Sequence, residues 1–276
     1  MLLPLQIAVL LAGVRYVKTH HEAKRNYLIK TGRGLNPSII EYMQGLMCMF
    51  MIVCQLVFKS YTNTMIFIFN PCHVLTFCFG LVSLLPFNRF TDCLMSFSIA
   101  SCFGAWLGIV WAENGELSPL EHYMYYIQHI FAAFMAPFVL YLGGRYSASD
   151  QLRWPLPLFG YLGFTLYMRF FLTPVSGITW ANLNHTLCGV DNDPWRKYFQ
   201  MGKYYYLWAE CYLGLTSVVT QYFIGILGIM LIRCRRFSIH GDSSEKFQAL
   251  VGILLIFGLS SFAYHAISHI EMREQG

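Results

Sequence analysis

Long apolar segments dominate this sequence, and each is close to the length of a helix that crosses a bilayer. A transmembrane helix needs about 20 predominantly apolar residues. Eight segments approach that length, at about residues 2–17, 40–58, 64–86, 92–111, 121–142, 154–173, 206–232 and 248–268. The sequence therefore predicts an all-α polytopic membrane protein. It would be a bundle of about eight transmembrane helices in a single domain over residues 1–276.

The scarcity of charge supports the same conclusion. Only 12% of the 276 residues are charged, whereas a soluble domain carries about 25%. A soluble globule of this size would lack a polar surface, so that class is excluded. The formal net charge is +5, but the basic residues fall mostly between the apolar segments. This distribution favours a role in membrane topology, and no nucleic-acid partner is predicted.

The distribution of basic residues predicts an orientation. Two connections hold the main clusters: Lys18, Lys24, Arg25, Lys30 and Arg33 after the first segment, and Arg233, Arg235, Arg236 and Lys246 after the seventh. Arg89, Arg145 and Arg153 add to the same side, and Lys59 is one of five Lys or Arg residues predicted for the connections of the opposite side. Because cytosolic loops are enriched in Lys and Arg, we expect both termini on the non-cytosolic side. The first segment has no basic residues before it and is interpreted as an uncleaved anchor, with a signal peptide as the alternative.

Residues 174–205 are predicted to be a long non-cytosolic loop, which is unusual in a compact bundle and often functional. Asn182, Asn184 and His185 make part of it strongly polar. These side chains are candidates for contact with a head group or an oxyanion. Residues 248–276 are predicted to add a further span and a tail.

One apolar segment contains a proline next to a cysteine and a histidine, in the run Asn70-Pro71-Cys72-His73. Proline clashes with the carbonyl four residues earlier, so we expect a broken helix here. A new helix starting at membrane depth would offer free N–H groups and a positive dipole end, which favour a thiolate or hold an oxyanion. Asn70 is a candidate extra donor. A packed cysteine beside a routine kink is the alternative.

His129 lies within the fifth segment, and an ionisable residue within a span is a functional candidate. Cys72 and His129 each lie about eight residues from the non-cytosolic end of their segments, which is roughly 12 Å. They can therefore meet at one level if their helices are adjacent. A cysteine with a histidine base is the minimal set for nucleophilic acyl transfer. A histidine that only bonds a neighbouring helix is the alternative for His129.

Two neighbours of this pair complete the predicted site. His73 follows Cys72 directly and points elsewhere on the helix, so it is a poorer base than His129. His73 and Gln128 are retained with Asn70 as candidates for contact with substrate or oxyanion. No metal site and no cofactor are predicted.

Three short motifs together resemble the transmembrane protein 164 family. They are residues 69–74 (Phe-Asn-Pro-Cys-His-Val), residues 125–129 (Tyr-Tyr-Ile-Gln-His), and residues 182–184 with 187–188 and 193–194. The resemblance extends over about residues 2–232, and the eighth segment has no counterpart in it. It implies a multipass acyltransferase that moves a polyunsaturated acyl chain onto lysophospholipids, notably ether-linked ones. It also implies that Cys72 is the nucleophile, that His129 is its partner, and that the protein resides in the endoplasmic reticulum membrane.

Two other functions remain open from the sequence. A lipid ester hydrolase would use the same cysteine and histidine with water as the acceptor. A lipid-binding or transport protein would use the broken helix to hold a ligand near the bilayer midplane. In each case the expected ligands are phospholipids and lysophospholipids.

Overall fold

The computed structural model describes residues 2–110, 119–153, 156–181 and 205–238, and these residues are helical with no β-strand. The predicted all-α class is confirmed for this part of the chain. The helices are α1 (Leu2–Lys30), α2 (Ile39–Tyr61), α3 (Pro71–Leu84), α4 (Arg89–Val110), α5 (Pro119–Ile130), α6 (Ala136–Gly143), α7 (Ala148–Gln151), α8 (Leu156–Tyr167), α9 (Thr173–Thr179) and α10 (Tyr205–Ser238). A 3₁₀ helix (Met65–Phe69) precedes α3, and π-helical turns join α5 to α6 and α8 to α9.

Four helical stretches in the described residues are long and apolar enough to cross a membrane. They are Ile39–Tyr61, Arg89–Ile109, Glu121–Gly143 and Gly214–Ile232. This supports a multi-pass membrane protein, but the predicted count of about eight spans is not confirmed. The predicted spans 2–17, 64–86 and 154–173 are not among the four, and 248–268 lies outside the described residues.

Helix α1 differs from its prediction in length and character. It continues without a break to Lys30, through the residues predicted to form a basic loop. Its apolar part ends near Val17, which falls short of the roughly 20 residues that a span requires. Beyond that point Lys24 forms an ion pair with Asp92 of α4 at 2.9 Å. The second half of α1 therefore packs on the bundle through its charges.

The predicted broken helix is present. The 3₁₀ helix ends at Phe69, Asn70 has an extended ψ of 141°, and Pro71 starts α3. A residue before proline disfavours the α region, which accounts for the conformation of Asn70. Proline is tolerated in a first helical turn because its missing N–H would have no intrahelical partner. At 14 residues, α3 alone is too short to cross a bilayer.

The predicted loop 174–205 begins too early. Residues up to Thr179 are helical in α9, and residues 182–204 lie outside the described residues. The predicted loop starts at Pro174. Instead a π-helical turn, Met168–Leu172, precedes it, and Thr173 Oγ1 donates to the Met168 carbonyl at 2.8 Å. Pro174 thus falls in the first turn of a new helix, where proline is tolerated.

The core lies where α2, α3, α4 and the α5–α6 region meet. Helix α3 packs against α2 and α4, and α4 packs against α8. The largest cluster of buried apolar residues draws on α2, α3, α4, α5–α6 and α10, with Phe79 and Met95 fully buried. Helices α2, α4 and the α5–α6 region therefore surround α3, whose first turn contains Cys72.

Two basic residues predicted to be loop charges are buried instead. Arg145 is 4% exposed and pairs with Glu41 of α2 at 3.0 Å. Lys59 is 8% exposed and lies in the last turn of α2. The sequence pattern cannot distinguish a charge that ends a span from one that turns into the protein beside it.

Candidate functional site

Cys72 lies in the first turn of α3, directly after the break. The N–H groups of His73 and Val74 donate to the Asn70 carbonyl, at 3.0 and 3.2 Å. The N–H of Cys72 has no carbonyl acceptor among the described residues. Helix starts leave such donors free, and they form the usual setting for an anion. The Cys72 thiol is free and partly buried.

Asn70 stands beside this turn without capping it. Its side chain makes no cap hydrogen bond. Its Oδ1 atom is buried and has no hydrogen-bond partner in the described structure. A buried polar atom without a partner is costly. The unpartnered atom is an acceptor, whereas the predicted oxyanion role of Asn70 requires its amide N–H, so that role stays a prediction.

Gln128 connects α5 to the Cys72 turn. Its side chain is 2% exposed, and Nε2 lies 3.0 Å from the Cys72 carbonyl oxygen. The same nitrogen lies 2.9 Å from Thr76 Oγ1 and 3.0 Å from His73 Nδ1. The carbonyl oxygen can only accept, so Nε2 donates to it. Gln128 thus fixes the first turn of α3 against α5.

His129 follows Gln128 and is 5% exposed. Its Nδ1 lies 2.7 Å from the Tyr125 carbonyl oxygen. Because a carbonyl oxygen only accepts, Nδ1 carries the proton and the neutral ring keeps a lone pair on Nε2. The Tyr125 ring lies 3.9 Å from the imidazole, centroid to centroid. This tautomer suits a general base that acts through Nε2.

The close approach of α4 sets the position of the His129 ring. A Cβ atom on Gly108 would lie 2.5 Å from His129 Cδ2 and 2.7 Å from Nε2. Tyr125 donates its hydroxyl to the Gly108 carbonyl at 2.7 Å. Glycine at this position therefore makes room for the imidazole against the α4 backbone.

Gln128 contacts the Cys72 carbonyl, so α5 lies beside the first turn of α3. The predicted meeting of Cys72 and His129 stays a prediction. The direct contact is made by Gln128, and no hydrogen bond joins Cys72 to His129 in the described structure. His129 lies within electrostatic range of His73. Catalytic hydrogen bonds are often absent before substrate binds and form in the complex. The arrangement provides a thiol and an unprotonated imidazole nitrogen from adjacent helices.

His73 has a different position from His129. It is 6% exposed, and its Nδ1 faces the Gln128 amide nitrogen. The amide nitrogen carries two N–H groups, and its contacts with the Cys72 carbonyl and Thr76 Oγ1 can use both, so the contact with Gln128 does not fix the tautomer of His73. The predicted loop candidates Asn182, Asn184 and His185 lie outside the described residues.

Sequence reasoning missed three residues around the cysteine. The Lys59 ammonium interacts electrostatically with Cys72 and lies 5.6 Å from the Phe67 ring centroid. Tyr125 contacts both His129 and the α4 backbone, and the Tyr167 hydroxyl donates to the Phe69 carbonyl just before the break. The available signal was Lys59 itself, a charge that directly follows an apolar run. A charged residue within or at the end of a span is a functional candidate.

Comparison with known proteins identifies the family. The family model described as the TMEM164 family matches residues 1–221. The chain belongs to the TMEM164 family. The match includes the break at Pro71, Gln128 and His129, and it ends within α10. No solved structure matches this TMEM164-family chain.

Proposed function

We propose that this TMEM164-family protein is a membrane acyltransferase that works through a Cys72 thioester, with His129 as the general base. One observation carries the proposal. The helix break places Cys72 in the first turn of α3, and Gln128 joins that turn to the helix that bears His129. A thiol at a helix start beside a neutral imidazole is the arrangement that activates a cysteine nucleophile.

In the first half of the reaction, His129 Nε2 takes the proton from the Cys72 thiol. The sulfur attacks the carbonyl carbon of a phospholipid ester and forms a tetrahedral intermediate. The Cys72 N–H and the Asn70 amide are the nearby groups for its oxyanion. The C–O bond then breaks, and the departing lysophospholipid oxygen takes the proton from His129. Cys72 retains the acyl chain as a thioester.

In the second half, a different lysophospholipid supplies the attacking hydroxyl. His129 takes the hydroxyl proton, the oxygen attacks the thioester carbonyl, and the C–S bond breaks. The thiolate recovers the proton from His129. The net reaction breaks one carboxylic ester and forms another, so it requires no ATP. The resemblance to the family suggests a polyunsaturated acyl chain, an ether-linked acceptor and an endoplasmic reticulum location.

An exchange assay in proteoliposomes tests this function. The donor is a phospholipid with a labelled acyl chain, and the acceptor is an ether lysophospholipid. We expect Cys72→Ala and His129→Ala each to reduce transfer by at least about 10²-fold, the usual contribution of such groups. Cys78→Ala is the matched control, because Cys78 is a buried cysteine of the same helix.

The products separate the possible outcomes. Labelled acyl chain on the acceptor supports transfer, whereas labelled free fatty acid as the main product supports a hydrolase. Full transfer by Cys72→Ala would rule out the thioester mechanism. Absence of both products from the wild-type protein, with labelled lipid still bound, would favour a lipid-binding protein.

A further inference from the structure

Lys59 differs from the other buried charged residues in the described part of the chain. Four Asp, Glu, Lys or Arg residues there are less than 9% exposed: Glu41, Lys59, Asp92 and Arg145. Glu41 pairs with Arg145 at 3.0 Å, and Asp92 pairs with Lys24 at 2.9 Å. No ion pair or hydrogen bond joins the Lys59 ammonium to another described residue.

A buried ammonium without an ion pair, such as that of Lys59, is expected to bind an anion. Burying a charge without a partner is strongly unfavourable, and a lysine at a span end ordinarily extends to the interface instead. Lys59 does not do so, because its side chain turns into the protein and lies over the Phe67 ring. Phe67 belongs to the 3₁₀ helix that leads into the break. The ammonium therefore faces the region where α3 begins.

The charged groups near Lys59 do not provide it with a permanent counter-ion. The electrostatic partners of Lys59 are Glu121, at the start of α5, and Cys72. Glu121 is not within ion-pair distance of Lys59. A Cys72 thiolate would exist only during a reaction, so it cannot serve as a permanent counter-charge. The start of α3 adds a positive dipole end on the same side.

The depth of Lys59 indicates the source of the anion. Lys59 is the third residue from the end of the span Ile39–Tyr61, about 3 Å from that end along the helix. A span end marks the boundary between hydrocarbon and head groups. The anion present at that boundary in every phospholipid bilayer is the phosphodiester, and basic pockets between helices bind such groups.

We propose that Lys59 is the phosphate-binding residue of a glycerophospholipid subsite next to Cys72. The lipid phosphodiester forms an ion pair with the Lys59 ammonium, and the glycerol esters lie toward the start of α3. This assignment rests on the proposed acyl transfer for its role in the reaction, but the binding itself does not require turnover.

Binding is tested with a diether phospholipid, which has the phosphodiester but no ester to cleave. The protein is purified in detergent, and affinity is measured for wild type, Lys59→Met and Lys59→Arg. We expect Lys59→Met to weaken binding about tenfold or more, because a desolvated ion pair is lost. Lys59→Arg should stay within about threefold, since the charge is kept. Lys30→Met, at an exposed lysine of α1, is the control and should bind like wild type.

Two further ligands make the result decisive. A dialkylglycerol without phosphate should bind wild type and Lys59→Met equally. Inorganic phosphate should not compete with the diether lipid at millimolar concentration. Equal affinity of wild type and Lys59→Met for the diether phospholipid would overturn the subsite. Full competition by inorganic phosphate would replace the lipid with a free anion and would also overturn it.

The acyl exchange assay separates this proposal from the proposed function. If the wild-type protein transfers no acyl chain but Lys59→Met still loses lipid affinity, the proposed acyltransferase function is contradicted and the phosphate subsite is supported. If the wild-type protein and Lys59→Met transfer the acyl chain equally well, the phosphate subsite is contradicted and the acyltransferase function is supported. Alkylation of Cys72 across pH excludes the simpler role in thiolate stabilisation. Its pH profile should be unchanged in Lys59→Met, and a shifted profile with normal lipid affinity would overturn the proposal.

Discussion

At the scale of single residues, the proposed chemistry depends on where the His129 ring is held. The Tyr125 carbonyl fixes the tautomer through Nδ1, and the Tyr125 ring covers one face. Gly108 permits the α4 backbone to approach the other atoms of the ring. The position of the proposed general base, His129, is thus set by a glycine, Gly108.

Gly108→Ala should therefore impair the site without removing any catalytic group. The new Cβ would lie 2.5 Å from His129 Cδ2, so the ring must move. Displacement of a catalytic group by about 1 Å can cost on the order of 10²-fold in rate. We expect kcat for acyl exchange to fall steeply, with little change in the amount of folded protein.

Gly104→Ala is the matched control for this substitution. Gly104 lies one turn earlier on α4, and a Cβ there would meet nothing within 4 Å. It should retain wild-type exchange. Equal activity of Gly108→Ala and wild type would show that the His129 ring position is not critical.

The sequence predicts some of these residues and not others. Cys72 and His129 are predicted as site residues because a proline beside a cysteine and a histidine inside an apolar segment are local signals. The contact of Gln128 with the Cys72 carbonyl is not predictable from the sequence, because it depends on how α3 packs against α5. Lys59 is mistaken for a loop charge, because only the three-dimensional structure shows that it turns inward.

At the scale of elements, α3 is held at both ends by side chains from other helices. Gln128 holds its first turn. At the other end, Arg145 donates to the carbonyls of Val82 and Leu85, at 2.9 and 2.6 Å, while Glu41 accepts from Arg145 Nε. Arg145 thus satisfies carbonyls that a helix end leaves free. This contact fixes the register of α3 and with it the position of Cys72.

Breaking the pair between Glu41 and Arg145 should be strongly destabilising. Both side chains are almost completely buried, and loss of one partner leaves an uncompensated charge. We expect Arg145→Met to lower the free energy of unfolding by about 3–5 kcal/mol, measured by denaturant titration in mixed micelles. The double variant with Glu41→Gln should lose less than the sum of the two single variants.

Arg153→Met provides the comparison. Arg153 is an exposed arginine whose ion pair with Asp150 spans 3.5 Å. Exposed pairs contribute about 0–1 kcal/mol, so this variant should unfold almost like wild type. A similar loss in Arg145→Met and Arg153→Met would show that burial of the Glu41 pair is unimportant.

The breaks in the elements differ in how far the sequence predicts them. Pro71 predicts its break correctly, because the residue before a proline resists the α conformation wherever it occurs. Pro174 does not end its helix, because the π-helical turn Met168–Leu172 precedes it and places it in the first turn of α9. Such turns depend on tertiary partners for the displaced carbonyls, such as the Cys102 thiol that contacts the Ala132 carbonyl. A sequence pattern does not reveal those partners.

At the scale of the whole molecule, the two ends of α3 lie at opposite sides of the bundle. The Cys72 end lies with the C-terminal end of α2, and the other end lies with Glu41 and Arg145. The basic residues Lys30, Arg33, Arg89 and Arg153 belong to the Arg145 side of the chain. The positive-inside rule then predicts that the Cys72 end faces away from the cytosol.

Cysteine labelling in sealed membranes tests this sidedness. Asn63→Cys lies in the exposed connection after α2, and Gly34→Cys lies in the exposed connection before it. We expect an impermeant maleimide to modify Gly34→Cys from the cytosolic face and Asn63→Cys only after the membrane is opened. The wild-type protein supplies the background from native cysteines. The reverse pattern would contradict the predicted orientation.

The membrane class is predictable from the sequence, but the number of spans is not. Composition alone excludes a soluble globule. Counting apolar windows gives about eight spans, whereas the described residues hold four helices long and apolar enough to cross a membrane. A window takes no account of a helix that breaks at Pro71 or of an apolar run as short as that of α1. Length and continuity of helices become clear only in the folded chain.

The thioester on Cys72 is the central claim, and direct detection tests it. The purified protein is incubated with a donor phospholipid and no acceptor, then digested and analysed by mass spectrometry. We predict an acyl chain on the peptide that contains Cys72, removed by neutral hydroxylamine and discharged when an ether lysophospholipid is added. The same adduct should be absent from Cys72→Ala and strongly reduced in His129→Ala. Acyl exchange at the normal rate with no acyl chain on Cys72 would contradict the account.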